Sequence, residues 1–182
     1  VSNEVASCVT LKGITAEYLL HRAYPLKKGD KILYHAAAGG LGQILCPWAN
    51  AIGAEVIGTV GSKEKEEIAK NNGCHHVINY TDKNFVEEVE KIVGKNGIDV
   101  VYDGVGLKTF EGSIEVLKIR GMMVAFGNAS GYVDTIDVKK HINAKGLFFT
   151  RPSIAHYTIT REELEESAKK VFEAVMSGKF KI

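Results

Sequence analysis

The sequence lacks the features that mark membrane-spanning and nucleic-acid-binding proteins. No apolar run reaches the roughly 18 residues that a membrane-spanning helix needs, and no signal peptide precedes the first helical pattern. No basic run is longer than a pair and the net charge is +1, so there is no electrostatic footprint for nucleic acid or for an anionic membrane. We therefore expect a soluble protein of the cytoplasm without nucleic-acid or membrane partners.

Cysteine is also scarce. The three cysteines, Cys8, Cys46 and Cys74, are odd in number and widely spaced, so they match neither a disulfide framework nor a zinc-binding pattern. We expect all three to be buried free thiols.

The 182 residues are 45% hydrophobic and 25% charged, which is typical of a globular protein with one core. One domain, residues 1–182, is the simplest organisation. The chain begins at Val1 rather than at methionine and ends just after a helical pattern. We therefore interpret it as a fragment of a longer protein.

The most informative stretch is LYHAAAGGLG, residues 33–42, an apolar strand that ends in a glycine-rich turn and opens into a helical pattern. In a dinucleotide-binding GxGxxG fingerprint the three glycine positions would be Ala37, Gly39 and Gly42, so the first glycine is missing. Gly39 would let the main chain approach a pyrophosphate, and Gly42 would let the helix pack closely on the strand. Taken alone, the motif is as typical of an unliganded turn as of a dinucleotide site.

Alternating apolar patterns along the chain predict six strands separated by helices. We expect strands at residues 31–35, 54–60, 76–79, 99–103, 121–126 and 146–150, and helices at residues 9–21, 40–52, 62–73, 85–93, 107–117 and 160–178. Ser62 should cap the third helix, and Pro47 should kink the second. This alternation predicts an α/β fold, a doubly wound parallel six-stranded sheet of the Rossmann type with strand order 3-2-1-4-5-6, preceded by the helix at residues 9–21.

In such a sheet a ligand lies outside the carboxyl ends of the strands. The turns predicted at that edge should therefore form one crevice. They are Ala37 to Leu41, Gly61 with Ser62, Tyr80, Gly104 to Gly106, and Phe126 to Asn128.

Six segments occur in a set order: HAAAGGLGQ, IGTVGSKEK, VINY, VVYDGVG, MMVAFGNASG and FFTRPSI. Together they resemble the cofactor-binding domain of the NADPH-dependent quinone oxidoreductases, a zinc-independent branch of the medium-chain dehydrogenase/reductase family. The resemblance covers nearly the whole chain. It implies the NADP(H)-binding half of a two-domain enzyme that transfers hydride from NADPH to a quinone.

The resemblance also implies a set of cofactor-binding residues. They are Thr15, Ala38, Gly39, Gly40, Leu41, Gly61, Ser62, Lys65, Tyr80, Gly104, Val105, Phe126, Gly127, Asn128, Phe149 and Thr150. Lys65 and Tyr80 would meet the adenosine 2'-phosphate, although Lys65 also fits a solvated charge and Tyr80 a plug at the sheet edge. Phe126 and Asn128 would contact the nicotinamide, although Phe126 also fits a core position. Thr15 would lie near the nicotinamide ribose, or its hydroxyl simply bonds within its helix.

Cofactor choice also follows from the residues themselves. The acidic residue that binds the ribose hydroxyls in NAD-dependent versions of this fold is replaced by Gly61, and Ser62, Lys63 and Lys65 follow it in a setting that favours an anion. We therefore expect a preference for NADPH over NADH.

Several residues invite catalytic roles that we do not assign. His35, His75, His76 and Asp103 are more typical of structural positions, and the catalytic residues stay unknown. Zinc-dependent relatives carry a metal ligand near Leu11 or Lys12, neither of which can serve, and Cys8 lies out of place, so we expect no catalytic zinc.

Two functional alternatives stay open: an enoyl or alkenal reductase of the same family, and a non-catalytic NADPH-binding module. Strand six, which contains Leu147, Phe148 and Phe149, should lie at the sheet edge and pair with a second copy in a homodimer. Because the substrate cleft needs the missing half, we expect the isolated chain to bind NADPH without reducing quinone.

Overall fold

The computed structural model describes residues 1–181 and forms a six-stranded parallel sheet. The strand order β3-β2-β1-β4-β5-β6 confirms the predicted doubly wound topology. The strands are β1 (Lys31–His35), β2 (Glu55–Val60), β3 (His76–Asn79), β4 (Ile98–Asp103), β5 (Leu117–Ala125) and β6 (Phe148–Thr150). All five strand pairs are parallel, so the carboxyl ends of the strands share one edge.

Six α-helices cover both faces of this sheet. They are α1 (Asn3–Tyr18), α2 (Gly42–Ile52), α3 (Lys63–Asn71), α4 (Phe85–Val93), α5 (Phe110–Val116) and α6 (Arg161–Met176). The core on one face contains buried residues of α1, α2, α3 and α6, and the core on the other contains those of α4 and α5. Short helical turns at Leu19–Ala23, Val138–Asn143 and Ile154–His156 were not predicted.

The predicted boundaries of β1, β3 and α4 are confirmed, most of the others differ by one to three residues, and two predicted starts are wrong by more than that. The first helix begins at Asn3 rather than at residue 9, because Ser2 caps it by accepting a hydrogen bond from the amide of Val5. Strand β5 begins at Leu117 rather than at residue 121, because Leu117 already pairs with Ile98 before a register shift.

Three local expectations have different outcomes. Ser62 occupies the N-cap position of α3, but its side chain makes no capping hydrogen bond. Cys46 and Cys74 are buried free thiols as expected, whereas Cys8 is exposed although its neighbour Val9 is buried in the core. Helix α2 continues through Pro47 without a break, and the expected kink stays a prediction.

Among residues 1–181, no helix is long and apolar enough to span a membrane.

A buried ionic cluster joins α1 to α6. The carboxylate of Glu17, which is 0% exposed, accepts a hydrogen bond from Ser167 at 2.7 Å. It also pairs with Arg22 at 3.2 Å and with Lys170 at 3.5 Å. Because Arg22 in turn donates to Ser167 at 2.8 Å, four side chains hold the first and last helices together.

We expect Glu17→Ala to lower the free energy of unfolding by about 1.5–3 kcal/mol, the range for hydrogen bonds to charged groups. Arg22 and Lys170 are partly exposed, so water can solvate them after the change. Chemical denaturation measures the difference. Glu165→Ala is the control, because it removes only an exposed pair with Arg161 and should change stability far less. Equal effects of the two substitutions would contradict a role for the buried cluster.

Candidate functional site

The glycine-rich turn after β1 is closely packed at the positions that the fingerprint predicted. A Cβ added at Gly42 would lie within 2.6 Å of the carbonyl carbon of Ala37, so only glycine allows α2 to begin this close to β1. Ala37 is itself fully buried and faces Gly58 of β2, where an added Cβ would lie 2.6 Å from the Cβ of Ala37. Gly58 therefore provides the space that the missing first glycine would have left.

The same turn presents free backbone donors at the carboxyl edge of the sheet. Within residues 1–181, the amides of Gly40, Leu41 and Gly42 have no hydrogen-bond partner. The helix dipole of α2 adds partial positive charge at this point. The side chain of Lys12 from α1 lies beside the turn, with its Nζ atom 2.5 Å from where a Cβ of Gly40 would be. This arrangement is suited to bind a pyrophosphate.

A small cleft lies next to the turn, between the ends of β2 and β3. It has a volume of about 110 Å³ and contains five of the predicted site residues, namely Ala38, Gly39, Gly61, Lys65 and Tyr80. A Cβ added at Gly61 would lie 2.8 Å from the hydroxyl of Tyr80, so the tyrosine and a larger residue at position 61 exclude each other. The structure thus brings these five residues together.

Charge and hydrogen-bonding capacity in this cleft are left unused by the protein. Lys65 is exposed, and its ammonium has no ion-paired or hydrogen-bonded partner in the part of the chain that the structure describes. Ser62 does not line the cleft, and its hydroxyl, which does not cap α3, interacts with Glu64 and lowers the pKa of that carboxyl. The Lys65 ammonium and the Tyr80 hydroxyl around an opening of this size favour an oxyanion.

The turns after β4 and β5 pack directly against each other at the same sheet edge. A Cβ added at Gly127 would lie 2.7 Å from the Cα of Gly104, so neither turn leaves room for a side chain there. Phe126 follows β5 and stacks on Tyr34, with ring centroids 6.1 Å apart. Its packing agrees with a core position, but the ring stays partly exposed at the crevice.

Asn128 is oriented by an arginine that the sequence analysis did not single out. Arg151 donates to the carbonyl oxygen of Ala125 at 3.0 Å, and its second nitrogen lies 3.5 Å from Oδ1 of Asn128. A guanidinium only donates, so the amide oxygen must face it and the Nδ2 group points elsewhere. Among the described residues, that Nδ2 group has no acceptor, which leaves it available to a ligand.

The remaining predicted residues are placed less favourably. The hydroxyl of Thr15 donates to the carbonyl of Leu11 at 2.8 Å, so it bonds within its own helix. Thr150 pairs in register with Val124 and shares the face of Phe126. Phe149 faces the opposite side, where its ring lies 6.4 Å from that of Phe110. It lines an apolar cavity of about 190 Å³ whose lining also includes Gly127 and Asn128.

A buried polar network lies directly beneath the crevice. Asp103, the last residue of β4, is 0% exposed and accepts hydrogen bonds from the hydroxyls of Thr109 at 2.7 Å and Ser113 at 3.0 Å. His35, the last residue of β1, lies 2.9 Å from Ser113 through Nε2 and 2.9 Å from Thr59 through Nδ1. Burial lowers the pKa of His35, and the nearby carboxylate opposes this shift without reversing it.

This network is not a nucleophilic triad, although it contains serine, histidine and aspartate. Ser113, His35 and Asp103 are all buried, and the Ser113 hydroxyl already donates to Asp103. The other two histidines are also structural, because His75 accepts from the amide of Val56 at 3.0 Å and His76 lies 3.2 Å from the carboxylate of Glu55. That none of these residues is a general acid or base stays a prediction.

Residues 1–181 contain no cluster of three or more His, Cys, Asp and Glu side chains that could hold a metal ion. These residues do not fit a zinc ion, and we assign no step to one. The absence of catalytic zinc from the complete protein stays a prediction.

Comparisons with known proteins agree with this geometry. A protein-family model described as zinc-binding dehydrogenase matches residues 40–174. The chain is 50% identical over 169 residues to a 2-haloacrylate reductase from a Burkholderia species, which covers 92% of this chain and 51% of that protein. It is 45% identical over 183 residues to quinone oxidoreductase 1 of Escherichia coli K12, which covers 100% of this chain and 56% of that protein.

Solved structures show the same likeness in three dimensions. The crystal structure of Escherichia coli quinone oxidoreductase complexed with NADPH matches with a TM-score of 0.94 and 44% identity, covering 100% of this chain and 56% of that chain. The chain therefore spans about half the length of the curated relatives it matches.

Proposed function

Because the chain belongs to the zinc-binding dehydrogenase family, we propose that it is the NADPH-binding half of a two-domain quinone oxidoreductase. The observation that carries the cofactor assignment is the set of unused donors along one edge of the sheet. Three free amides at the start of α2 and the unpaired Lys65 ammonium lie at the same edge of the sheet, where they would meet the pyrophosphate and the 2'-phosphate of NADPH. The likeness to a relative crystallised with NADPH supports the same assignment.

The proposed cofactor-binding residues divide into three groups. Lys65, Tyr80, Ser62 and Gly61 would hold the 2'-phosphate, while the Ala38 to Leu41 turn would hold the pyrophosphate. The nicotinamide group would lie at the other end of the crevice. Its proposed contacts are Thr15, Gly104, Val105, Phe126, Gly127, Asn128, Phe149 and Thr150. Thr15 has the weakest structural support, because its hydroxyl is bonded within its own helix, and Phe149 shares a cavity with Gly127 and Asn128.

Bound NADPH supplies the hydride for reduction. The residues of this chain contribute binding, orientation and partial exclusion of water. The Nδ2 group of Asn128, with its oxygen fixed by Arg151, is available to hold the nicotinamide carboxamide. The partly exposed ring of Phe126 limits the positions that the nicotinamide can adopt. We assign no proton donor for the reduced oxygen to this chain.

A second substrate class also has specific support. The 50% identity to a 2-haloacrylate reductase favours an activated alkene as the hydride acceptor. Both reductions use the same nicotinamide geometry, so they differ only in the substrate cleft, whose other wall lies outside this chain. A non-catalytic NADPH-binding module is the third possibility.

We also propose that the protein is cytoplasmic. The free thiols of the buried Cys46 and Cys74 support this assignment, because thiols stay reduced in that compartment.

The first test concerns cofactor choice. We expect the chain to bind NADPH at least about tenfold more tightly than NADH, because one phosphate contact to a charged donor contributes roughly 1.5–3 kcal/mol. Lys65→Ala should remove most of this preference and leave the NADH affinity nearly unchanged. Fluorescence titration with both cofactors measures the effect.

Lys63→Ala is the matched control for this titration. Lys63 lies in the same first turn of α3 but does not line the cleft, so its loss should leave the preference largely intact. Equal binding of both cofactors by the unsubstituted chain, or an equal loss of both in Lys65→Ala, would reject the assignment of the phosphate site.

The second test concerns the reaction. We expect the isolated chain to bind NADPH without oxidising it in the presence of a quinone, because the nicotinamide would have one side open to water. The protein that also carries the missing half should oxidise NADPH with a quinone. Faster turnover of a 2-haloacrylate than of any quinone would favour the alkene reductase, and binding without turnover of either would favour the module. Full quinone reductase activity of the isolated chain would contradict its assignment as half of the catalytic unit.

The third test concerns assembly. We propose that two chains pair through β6, which is the edge strand and exposes 60% of Phe148. Phe148→Lys should convert a dimer to a monomer in sedimentation velocity, because a charge on an edge strand opposes pairing. Ile119→Lys is the control, since Ile119 is also apolar and 68% exposed but lies on β5 rather than on β6. A monomeric unsubstituted chain would count against the proposed interface.

A further inference from the structure

We propose that Asp103 is the positioning residue of the nicotinamide end of the crevice. Asp103 would position this end of the crevice by holding together the two turns that follow β4 and β5. The inference rests on the proposed NADPH site and adds a residue that does not itself touch the cofactor. It starts from the position of Asp103, which is the last residue of β4 and fully buried below both turns.

One carboxylate oxygen of Asp103 holds the turn after β4. Its Oδ1 atom accepts hydrogen bonds from the amide of Val105 at 2.8 Å and from the amide of Gly106 at 2.9 Å. Gly106 has a φ of 87°, a conformation that residues with a side chain rarely adopt. Two charge-assisted bonds to consecutive amides thus fix the path of the backbone from Gly104 to Gly106.

The main chain of Asp103 holds the turn after β5. Its carbonyl oxygen accepts from the amide of Phe126 at 2.9 Å and from the amide of Gly127 at 3.3 Å. A single residue therefore anchors the start of both turns, one through its side chain and the other through its backbone. The second turn continues into Asn128, the residue with the free amide donor.

The two turns are also joined beyond Asp103. The amide and the hydroxyl of Ser130 both donate to the carbonyl of Val105, at 2.7 Å and 2.8 Å, and the amide of Ala129 donates to the carbonyl of Gly104 at 3.2 Å. Because the turns are in contact at Gly104 and Gly127, neither can shift without moving the other. Any change at the Asp103 carboxylate therefore reaches Asn128.

The second carboxylate oxygen is held by the network that reaches across the sheet. Oδ2 accepts from the hydroxyls of Thr109 and Ser113, which brings the number of donors to the Asp103 carboxylate to four and satisfies its charge without water. Because the Ser113 hydrogen is given to Asp103, its oxygen must accept from His35 Nε2–H, and His35 Nδ1 then accepts from Thr59. This assigns one neutral tautomer to His35.

The network therefore links the ends of β1, β2 and β4 beneath the crevice. It brings no reactive atom to the surface, since Asp103, His35, Ser113 and Thr59 are all buried. Its effect on a ligand is thus indirect, through the geometry of the two turns. This differs from the phosphate end of the site, where Lys65 and Tyr80 contact the opening themselves.

The test compares Asp103→Ala with Asp99→Ala. Asp99 lies on the same strand at its opposite end, where its carboxylate accepts from the amide of Lys31 at 2.7 Å and pairs with Lys118. Both substitutions remove a largely buried carboxylate with a backbone partner, so both should lower the melting temperature. Only the change at Asp103 should alter the nicotinamide end.

Two nucleotides separate a positioning role from general destabilisation. We expect Asp103→Ala to weaken NADPH binding by about tenfold or more. Binding of adenosine 2',5'-bisphosphate, which reaches only the Lys65 end, should change by less than about threefold, within the scatter of uncoupled sites. Asp103→Asn, which keeps an acceptor for the two amides, should restore most of the NADPH affinity.

Two outcomes would overturn the inference. The first is an unchanged NADPH affinity in Asp103→Ala. The second is an equal loss of affinity for both nucleotides in Asp103→Ala, with the same losses in Asp99→Ala. Hydrogen exchange provides a readout that needs no cofactor: the amides of Val105 and Gly106 should exchange faster in Asp103→Ala than in Asp99→Ala. If the unsubstituted chain bound neither nucleotide, the proposed function would be wrong, and unchanged exchange would reject the role of Asp103 separately.

Discussion

The structure depends on the close contact between the turn after β1 and the first residue of α2. At Gly42 the helix begins so close to the main chain of Ala37 that no side chain fits, and this brings the helix start to the edge of the sheet. The first amides of a helix have no partner inside it, so a helix start held at this position must present free donors to whatever occupies the crevice. The anion-binding capacity of the site is therefore a consequence of packing.

Much of the fold was predictable because the sheet is parallel and covered on both faces. Its central strands are continuous apolar runs separated by polar helices, so their order and number follow from simple periodicity. The errors lie where tertiary contacts replace local signals. Strand β5 starts early because Leu117 pairs with Ile98, and the first helix starts early at a polar segment whose cap is a single serine.

The candidate site was predictable where local sequence carries the chemistry, and not where distant residues meet. Gly61 and Lys65 are four residues apart in the sequence, so the predicted preference for a 2'-phosphate follows from the local sequence alone. The contact of Arg151 with Asn128 depends on which strands are neighbours, and so does the contact of Ser113 with His35 of β1 and, through it, with Thr59 of β2. The packing of Ala37 could not be predicted either, because the sequence does not reveal that Gly58 of the next strand makes room for its side chain.

The two ends of the crevice hold a ligand by different physical means. At the phosphate end an exposed ammonium and a hydroxyl act directly, so affinity there depends on charge and is reduced by screening. At the other end the groups that would meet a nicotinamide are backbone turns and one amide, and they are precise only because a buried carboxylate with four donors fixes them. Such a carboxylate is shielded from solvent and keeps its hydrogen bonds whatever the salt concentration. In the proposed NADPH complex, binding strength and orientation of the nicotinamide ring would be determined by separate parts of the same sheet edge, and the geometry of hydride transfer would depend on residues that never touch the cofactor.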